Sequence, residues 1–231
     1  MMPRKRTGTD MNKVIDSSQY APEMVLDFWF PDDGHQNDPD THAAFWTQRM
    51  QGGMDEAICR DFGALTEAAA RGYLDQWAET PRGRLALLIA LDQFPRSFWR
   101  GTPAAYAQDI KAARLALKGI ENGHYDALDA PWEKQFFIIA ITHCEGPDHL
   151  ERMDIMIDLS KKLHPNPAPH MQAIAERAVS QSTRVRGIIE RFGRHPHRNE
   201  ILGRPSTPDE DIYIKQGDFP HVRKPETETT T

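Results

Sequence analysis

The sequence predicts an all-α protein, and two observations support that fold class. Apolar residues recur at spacings of three and four along the middle of the chain, which places them on helix faces, whereas the alternation typical of strands does not recur. Proline follows a hydroxyl residue at several points where such a run begins, as at the N-terminus of a helix. The pattern predicts a single domain of about eight or nine helices with short connections, which suits stacked helix pairs, although the tetratricopeptide consensus does not repeat cleanly at its expected period.

Prolines and hydroxyl residues predict where the helices of the first half begin. Pro22 opens the first helix. Residues 54–71 form another, whose apolar face consists of Ile58, Phe62, Leu65 and Ala69. Thr80-Pro81 and Thr102-Pro103 each predict an N-cap hydroxyl followed by proline at the first helical position. Gly123 ends the helix that the second of these pairs begins.

In the second half, prolines and a glycine predict the remaining boundaries. Pro131 begins one helix and Pro147 the next, and a long helix runs over about residues 168–192. A capping box over residues 207–210 opens the last helix, and Gly217 ends it.

Composition and charge limit the classes of function. The formal net charge of -6 at pH 7 argues against nucleic-acid binding, which requires a basic face. Two cysteines, Cys59 and Cys144, support no disulfide framework, and no apolar run would span a bilayer, so we expect a cytoplasmic protein without membrane association. Residues 1–20 and 218–231 are predicted to be disordered tails, which leaves residues 21–217 as the single domain.

Two predicted helices carry an ionisable residue on an apolar face, and both are expected at the centre of the fold. In GRLALLIALDQFPR, residues 85–91 are apolar all round, and Asp92 continues their stripe before Pro95 ends or kinks the helix. A buried carboxylate without a partner is costly, so Arg96 and Arg100 are its expected partners.

The second such helix, PWEKQFFIIAITHCEG, places His143 on the same face as its core aromatic residues Trp132 and Phe136. The helix C-terminus favours a protonated imidazole there, while burial opposes it. Glu145 lies two residues further on, so it shares a ligand with His143 only if the helix has unwound between them.

Arginine is concentrated in RFGRHPHRNEILGR, residues 191–204, which holds four arginines, two histidines and no lysine. Guanidinium groups grip carboxylates and phosphates at two points, a property that a merely solvated basic face would not need. We predict that this segment caps the two central helices and completes a polar site. The candidate catalytic residues are Asp92, His143 and His197, and the candidate ligand-binding residues are Arg96, Arg100, Glu145, Arg191, Arg194, Arg198, Asn199 and Arg204.

Several of these residues also fit plainer interpretations. The Asp92–Arg96 pair suits a structural ion pair as well as a functional acid. His195 and His197 have the spacing of a metal-binding pair, but no third ligand accompanies them, so no metal site is predicted. Cys144 lacks a neighbour that would activate its thiolate. No Gly-rich phosphate loop or nucleophile elbow occurs, and no cofactor is predicted.

The combined motifs resemble a known family. ALDQFPRSFWRGTPAAYAQD, THCE and RFGRHPHRNEILGRPSTPDE, with VLDFWF near the start, are similar to the bacterial family catalogued as domain of unknown function 924, which also occurs in fungi. The resemblance covers roughly residues 24–217 and implies an α-helical, tetratricopeptide-like fold without a particular biochemical activity. The family pattern includes the candidate residues named above. His195 departs from it, since an aromatic residue is usual there, and Cys144 stands where serine is common.

Three functions fit this sequence, which does not decide whether the protein is an enzyme. The first is a pocket for a small anionic ligand, held by the arginines, with His143 or His197 as general acid–base and Asp92 orienting a partner. The second is a tetratricopeptide-like module that binds a peptide or partner protein in a groove. In the third, the polar motifs only clamp helix ends. The density of arginine and histidine favours the first, and fold analogy favours the second.

Overall fold

The computed structural model describes residues 17–163, 172–217 and 219, and these residues form ten α-helices in a single domain. Within the described residues there is no strand. The helices are α1 (Pro22–Trp29), α2 (Pro39–Met50), α3 (Asp55–Asp61), α4 (Gly63–Ala70), α5, α6 (Asp109–Glu121), α7 (Pro131–His143), α8 (His149–Leu163), α9 (Gln172–Phe192) and α10 (Pro208–Gln216). Helix α5 consists of Pro81–Leu88, a π-turn over Ile89–Gln93 and a final segment, Phe94–Phe98.

Helix α5 forms the centre of the fold, as its uninterrupted apolar sequence predicts. Each residue from Leu85 to Leu91 is at most 1% exposed. The helix packs against α1, α6 and α7, and the later helices pack in chain order, α6 on α7, α7 on α8 and α8 on α9. None of the described helices is long and apolar enough to cross a membrane.

Two of the predicted caps are present. The Thr80 hydroxyl accepts a hydrogen bond from Gly83 N–H at the start of α5. The capping box of α10 is complete, because Thr207 accepts from the Glu210 backbone while the Glu210 carboxylate accepts from the Thr207 backbone. Gly217 ends this helix in the left-handed conformation, at a φ of 64°.

The continuous helix predicted over residues 54–71 is wrong, because the chain forms two helices there. Phe62 leaves the helical conformation, and the ring of Phe98 packs so closely on Gly63 that a Cβ at this position would lie 2.6 Å from it. The missing side chain therefore allows the end of α5 to cover the junction between α3 and α4, which the spacing of apolar residues did not reveal.

The cap predicted at Thr102 is also wrong. The Thr102 hydroxyl donates to the carbonyl of Trp99 instead, and Pro103–Tyr106 is a 3₁₀ turn that precedes α6. Helix α8 begins at His149 rather than at Pro147. Part of the predicted long helix, residues 168–171, lies outside the described residues.

The predicted tails lie mostly outside the described residues. Of the first tail, Ser17–Gln19 forms a 3₁₀ turn and Tyr20 packs against the hydrophobic core. Of the second, Phe219 contacts the ring of Tyr213 at 5.5 Å. The described parts of both tails therefore contact the domain.

Candidate functional site

The site begins at the π-turn of α5. Pro95 has no N–H to continue the α-helical pattern, and the N–H of Phe94 donates to Ile89, five residues earlier. The π-turn accommodates the missing N–H, and the helix continues past Pro95 to Phe98. Asp92 lies in this turn, and π-turns within α-helices often occur at functional sites.

Asp92 is 1% exposed and is held from three directions. Its carboxylate accepts from the amide of Gln93 at 2.5 Å, lies 3.3 Å from Nη1 of Arg96, and contacts Nδ1 of His143 at 2.9 and 3.0 Å. Burial by itself would raise the pKa of Asp92, but the charge of Arg96 and the contact with His143 lower it below its usual value. Arg100, the other expected partner, pairs with Asp55 instead.

Asp109, at the first position of α6, is the residue that joins the cluster together. Its carboxylate accepts from Nη2 of Arg96 at 3.0 and 3.1 Å and from Nη1 of Arg198 at 3.1 Å. The sequence reasoning missed this residue although a signal was present. Asp109 lies on the buried stripe of α6, four residues before the buried Ala113, where a carboxylate needs a cationic partner.

His143 is the last residue of α7, and the backbone is extended at Cys144. The helix is therefore unwound between His143 and Glu145, which is the condition for the two side chains to share a ligand. Arg198 donates to the carbonyl oxygen of His143 at 2.8 Å, so the arginine-rich segment caps this helix end as predicted. The contacts described for Asp92 are with Gln93, Arg96 and His143, none of which belongs to this segment. We call Asp92, Arg96, Asp109, His143 and Arg198 the central cluster.

The rest of the arginine-rich segment forms a second arrangement, which we call the loop clamp and define as Glu145, Arg194, Asn199, Arg204 and Glu210. Glu145 accepts from the backbone of His195 at 2.8 Å and from Nη1 of Arg204, whose Nε donates to Asn199 at 3.1 Å. Arg194 donates to both oxygens of Glu210, at 2.7 and 2.8 Å. These fork-to-carboxylate pairs hold the loop against the start of α10.

Three predicted site residues, Arg100, Arg191 and His197, belong to neither arrangement. Arg100 pairs with Asp55 at 2.7 Å and is 45% exposed. Arg191 is 56% exposed and lies 3.9 Å from Asp209. Both are surface ion pairs of a kind that contributes little to stability. The ring of His197 is tilted against that of His195, with centroids 5.5 Å apart. Burial, followed by the charge of Arg198, lowers the pKa of His197 to about 3.

A cleft of about 190 Å³ borders the central cluster. Its walls are Pro103, Tyr106, Ala107, Asp109, Ile110, Cys144, Glu145, Arg198 and Leu202. The Arg198 guanidinium lies 4.6 Å from the centre of the Tyr106 ring.

Burial raises the pKa of the Cys144 thiol, so it is not an activated nucleophile. The described residues contain no group of three or more side chains that could hold a metal ion.

Comparison with known proteins places the chain in a family. Residues 25–218 match the model of a family described as bacterial protein of unknown function, DUF924. The chain belongs to the DUF924 family. The structure of a protein of unknown function, ATU0120 from Agrobacterium tumefaciens, is similar with a TM-score of 0.65 and 32% sequence identity. The match covers 85% of this DUF924 chain and 97% of that one. No curated protein matches significantly.

Proposed function

We propose that the cleft binds a small anionic ligand, a carboxylate or a phosphate, through Arg198. The observation that carries this proposal is the unused donor capacity of that guanidinium. Both of its hydrogen bonds, to Asp109 and to the His143 carbonyl, come from Nη1. Its Nε is buried without a hydrogen-bond partner among the described residues, and neither of the two hydrogen bonds comes from its Nη2. Nε and Nη2 form one edge of the guanidinium, which suits an anion with two oxygens.

The charge around Arg198 supports the same function. Arg198 is 3% exposed, and its carboxylate partner, Asp109, is shared with Arg96. Burial lowers the pKa of Arg198 despite this partner. Burial also opposes the charge on Arg96, but the two carboxylates Asp92 and Asp109 outweigh it and raise the pKa of Arg96. A second anion would therefore stabilise Arg198, whereas Arg96 is already neutralised.

General acid–base chemistry by His143 is a second candidate, favoured by its contact with Asp92. A carboxylate at Nδ1 fixes the proton on that nitrogen and leaves the lone pair on Nε2, which bonds to no described residue. Burial, followed by the charge of Arg96, lowers the pKa of His143, which keeps the ring neutral and able to accept a proton. The ring is 17% exposed but does not line the cleft, so binding by Arg198 remains the leading proposal.

Anion-dependent thermal unfolding tests the binding proposal. Acetate or phosphate should raise the melting temperature above a chloride control of equal ionic strength, because a ligand at a hundredfold excess over Kd stabilises the native state by about 2.7 kcal/mol. Arg198→Gln should remove the acetate effect, and Arg198→Lys should weaken it while keeping the charge. Arg194→Gln is the matched control, since the fork of Arg194 is occupied by Glu210. An unchanged acetate effect in folded Arg198→Lys would rule out the proposal.

The histidine candidate has its own test, because the tautomer of His143 is visible in nitrogen-15 NMR spectra. At pH 7 we expect a protonated Nδ1 and an unprotonated Nε2, and Asp92→Asn should disturb this preference. A doubly protonated ring at pH 7, or a proton on Nε2 instead, would exclude His143 as the general base.

A further inference from the structure

On the other side of α6, basic residues line an open groove of about 540 Å³, which we call the basic groove. Its walls are Asp75, Arg84, Ala107, Ile110, Lys111, Arg114, Leu115 and Lys118. Four cations therefore face a single carboxylate, in a chain whose formal net charge is -6. None of these cations belongs to the central cluster or the loop clamp.

Arg84 distinguishes this groove from an ordinary solvated basic face. The residue is 5% exposed and has no carboxylate partner among the described residues. Its guanidinium donates to Nδ1 of His124 at 3.0 Å and to the carbonyls of Leu115 and Ala78 at 2.9 and 2.7 Å. All of these acceptors are uncharged when His124 is neutral, and burial followed by the charge of Arg84 lowers the pKa of that histidine. A buried guanidinium without a counter-charge is costly unless an anion approaches it.

The exposed cations of the groove add to this unbalanced charge. Arg114 makes no hydrogen bond or ion pair with any residue that the structure describes. Lys111 pairs with Asp75 at 2.5 Å, and Lys118 pairs at 2.9 Å with Glu121, which does not line the groove. Arg114 and Lys118 are four residues apart on α6, so they extend from the same face of the helix. Cations arranged in this way create a positive field that concentrates small anions.

We propose that the basic groove binds a small ligand with two or more negative charges, carried on phosphate or carboxylate groups, at a site separate from the cleft at Arg198. The volume of the groove is that of a small-molecule site. A nucleic acid is the less suitable occupant, because the chain is acidic and four cations form a short patch compared with a duplex or strand interface. Ala107 and Ile110 separate the two sites, since both residues line the cleft and the groove.

Calorimetric titration with inorganic pyrophosphate and with citrate tests this proposal and distinguishes the two sources of negative charge. The full chain should bind at least one of the two anions, and Arg114→Glu with Lys118→Glu should weaken the groove site by about tenfold or more in Kd. These side chains are exposed, so the double variant should fold. Arg84→Gln should weaken the same site.

The matched control is Lys161→Glu with Lys162→Glu, which changes the net charge equally on two exposed lysines of α8. The groove site should keep its Kd in this control and in Arg198→Gln. Equal weakening in both double variants would show a general charge effect and overturn the proposal, as would an unchanged titration in the Arg114/Lys118 variant. Tighter binding of a single-stranded oligonucleotide than of either small anion would also overturn it. Arg198→Gln should remove anion binding at the cleft and leave binding at the groove unchanged. Failure of one proposal can therefore be distinguished from failure of the other.

Discussion

The central cluster and the loop clamp use the same residue types in different ways. In the clamp, Arg194 bonds both oxygens of Glu210, and the Thr207 N–H also donates to that carboxylate at 2.8 Å. In the cluster, one carboxylate, Asp109, serves both Arg96 and Arg198, and Nε of Arg198 has no hydrogen-bond partner among the described residues. A saturated network fixes a loop in place, whereas an unsaturated one retains the capacity to bind.

The pKa values of the two arrangements follow this difference. The hydrogen bonds from Arg194 lower the pKa of Glu210 to about 2, so both members of that pair are stable as ions. Burial instead lowers the pKa of Arg198, whose charge is incompletely matched. A count of arginines near carboxylates therefore does not identify a binding site, because the decisive quantity is the number of guanidinium N–H donors without a hydrogen-bond partner.

Removing the shared carboxylate should have the largest effect of any single substitution. Asp109→Ala leaves the buried Arg198 without a carboxylate partner, and we expect the free energy of unfolding to fall by about 3–5 kcal/mol. Urea unfolding measures this loss. Asp61→Ala is the control, because Asp61 pairs with Arg60 on the surface and is 46% exposed, so its loss should cost less than about 1 kcal/mol. A similar small cost for Asp109→Ala would show that the cluster does not depend on this carboxylate.

Lowering the pH should decrease the stability of the region around the central cluster and the loop clamp. Burial lowers the pKa of His149 to about 4 and that of His197 to about 3, while both titrate near 6.5 in the unfolded chain. The unfolded state therefore binds more protons below pH 6.5, so stability is complete above that pH and declines as the pH falls toward 4. Each histidine should contribute about 1.4 kcal/mol per pH unit in this range.

Urea unfolding between pH 7.5 and 4.5 measures the slope, and His197→Gln should reduce it by the contribution of one histidine. A free energy of unfolding that stays constant from pH 6.5 to 4.5 would contradict the buried, neutral state of these rings.

Opening the clamp should have the smallest of the three effects. Glu210→Ala removes the hydrogen bonds from Arg194 and half of the α10 capping box, and we expect a loss of about 1–3 kcal/mol in unfolding free energy. Arg194 is 28% exposed, so water can solvate the guanidinium that is left behind. The acetate effect at Arg198 should persist in this variant. Its disappearance would mean that the clamp and the central cluster act as one unit.

Much of the fold could be predicted because its signals are local. The apolar stretch of α5, the cap at Thr80 and the capping box at residues 207–210 depend on residues within about one helical turn of each other. The prediction of one continuous helix over residues 54–71 was wrong because a distant group intervened, since Phe98 packs on Gly63. The cap predicted at Thr102 was wrong for a local reason, because its hydroxyl bonds the carbonyl of Trp99, three residues earlier.

The amino-acid sequence alone indicates that the chain is helical and that Asp92 and His143 lie on core-facing positions. It also shows that residues 191–204 concentrate arginine without lysine, which is not expected of a merely solvated basic surface. The pairing of each guanidinium with a particular carboxylate depends on the tertiary structure. Arg198 and Asp109 are 89 residues apart, and their contact depends on how α6 and α7 pack rather than on any spacing. The same packing buries Arg84 with no carboxylate partner among the described residues, because burial and pairing are properties of the assembled helices and not of the segments that form them.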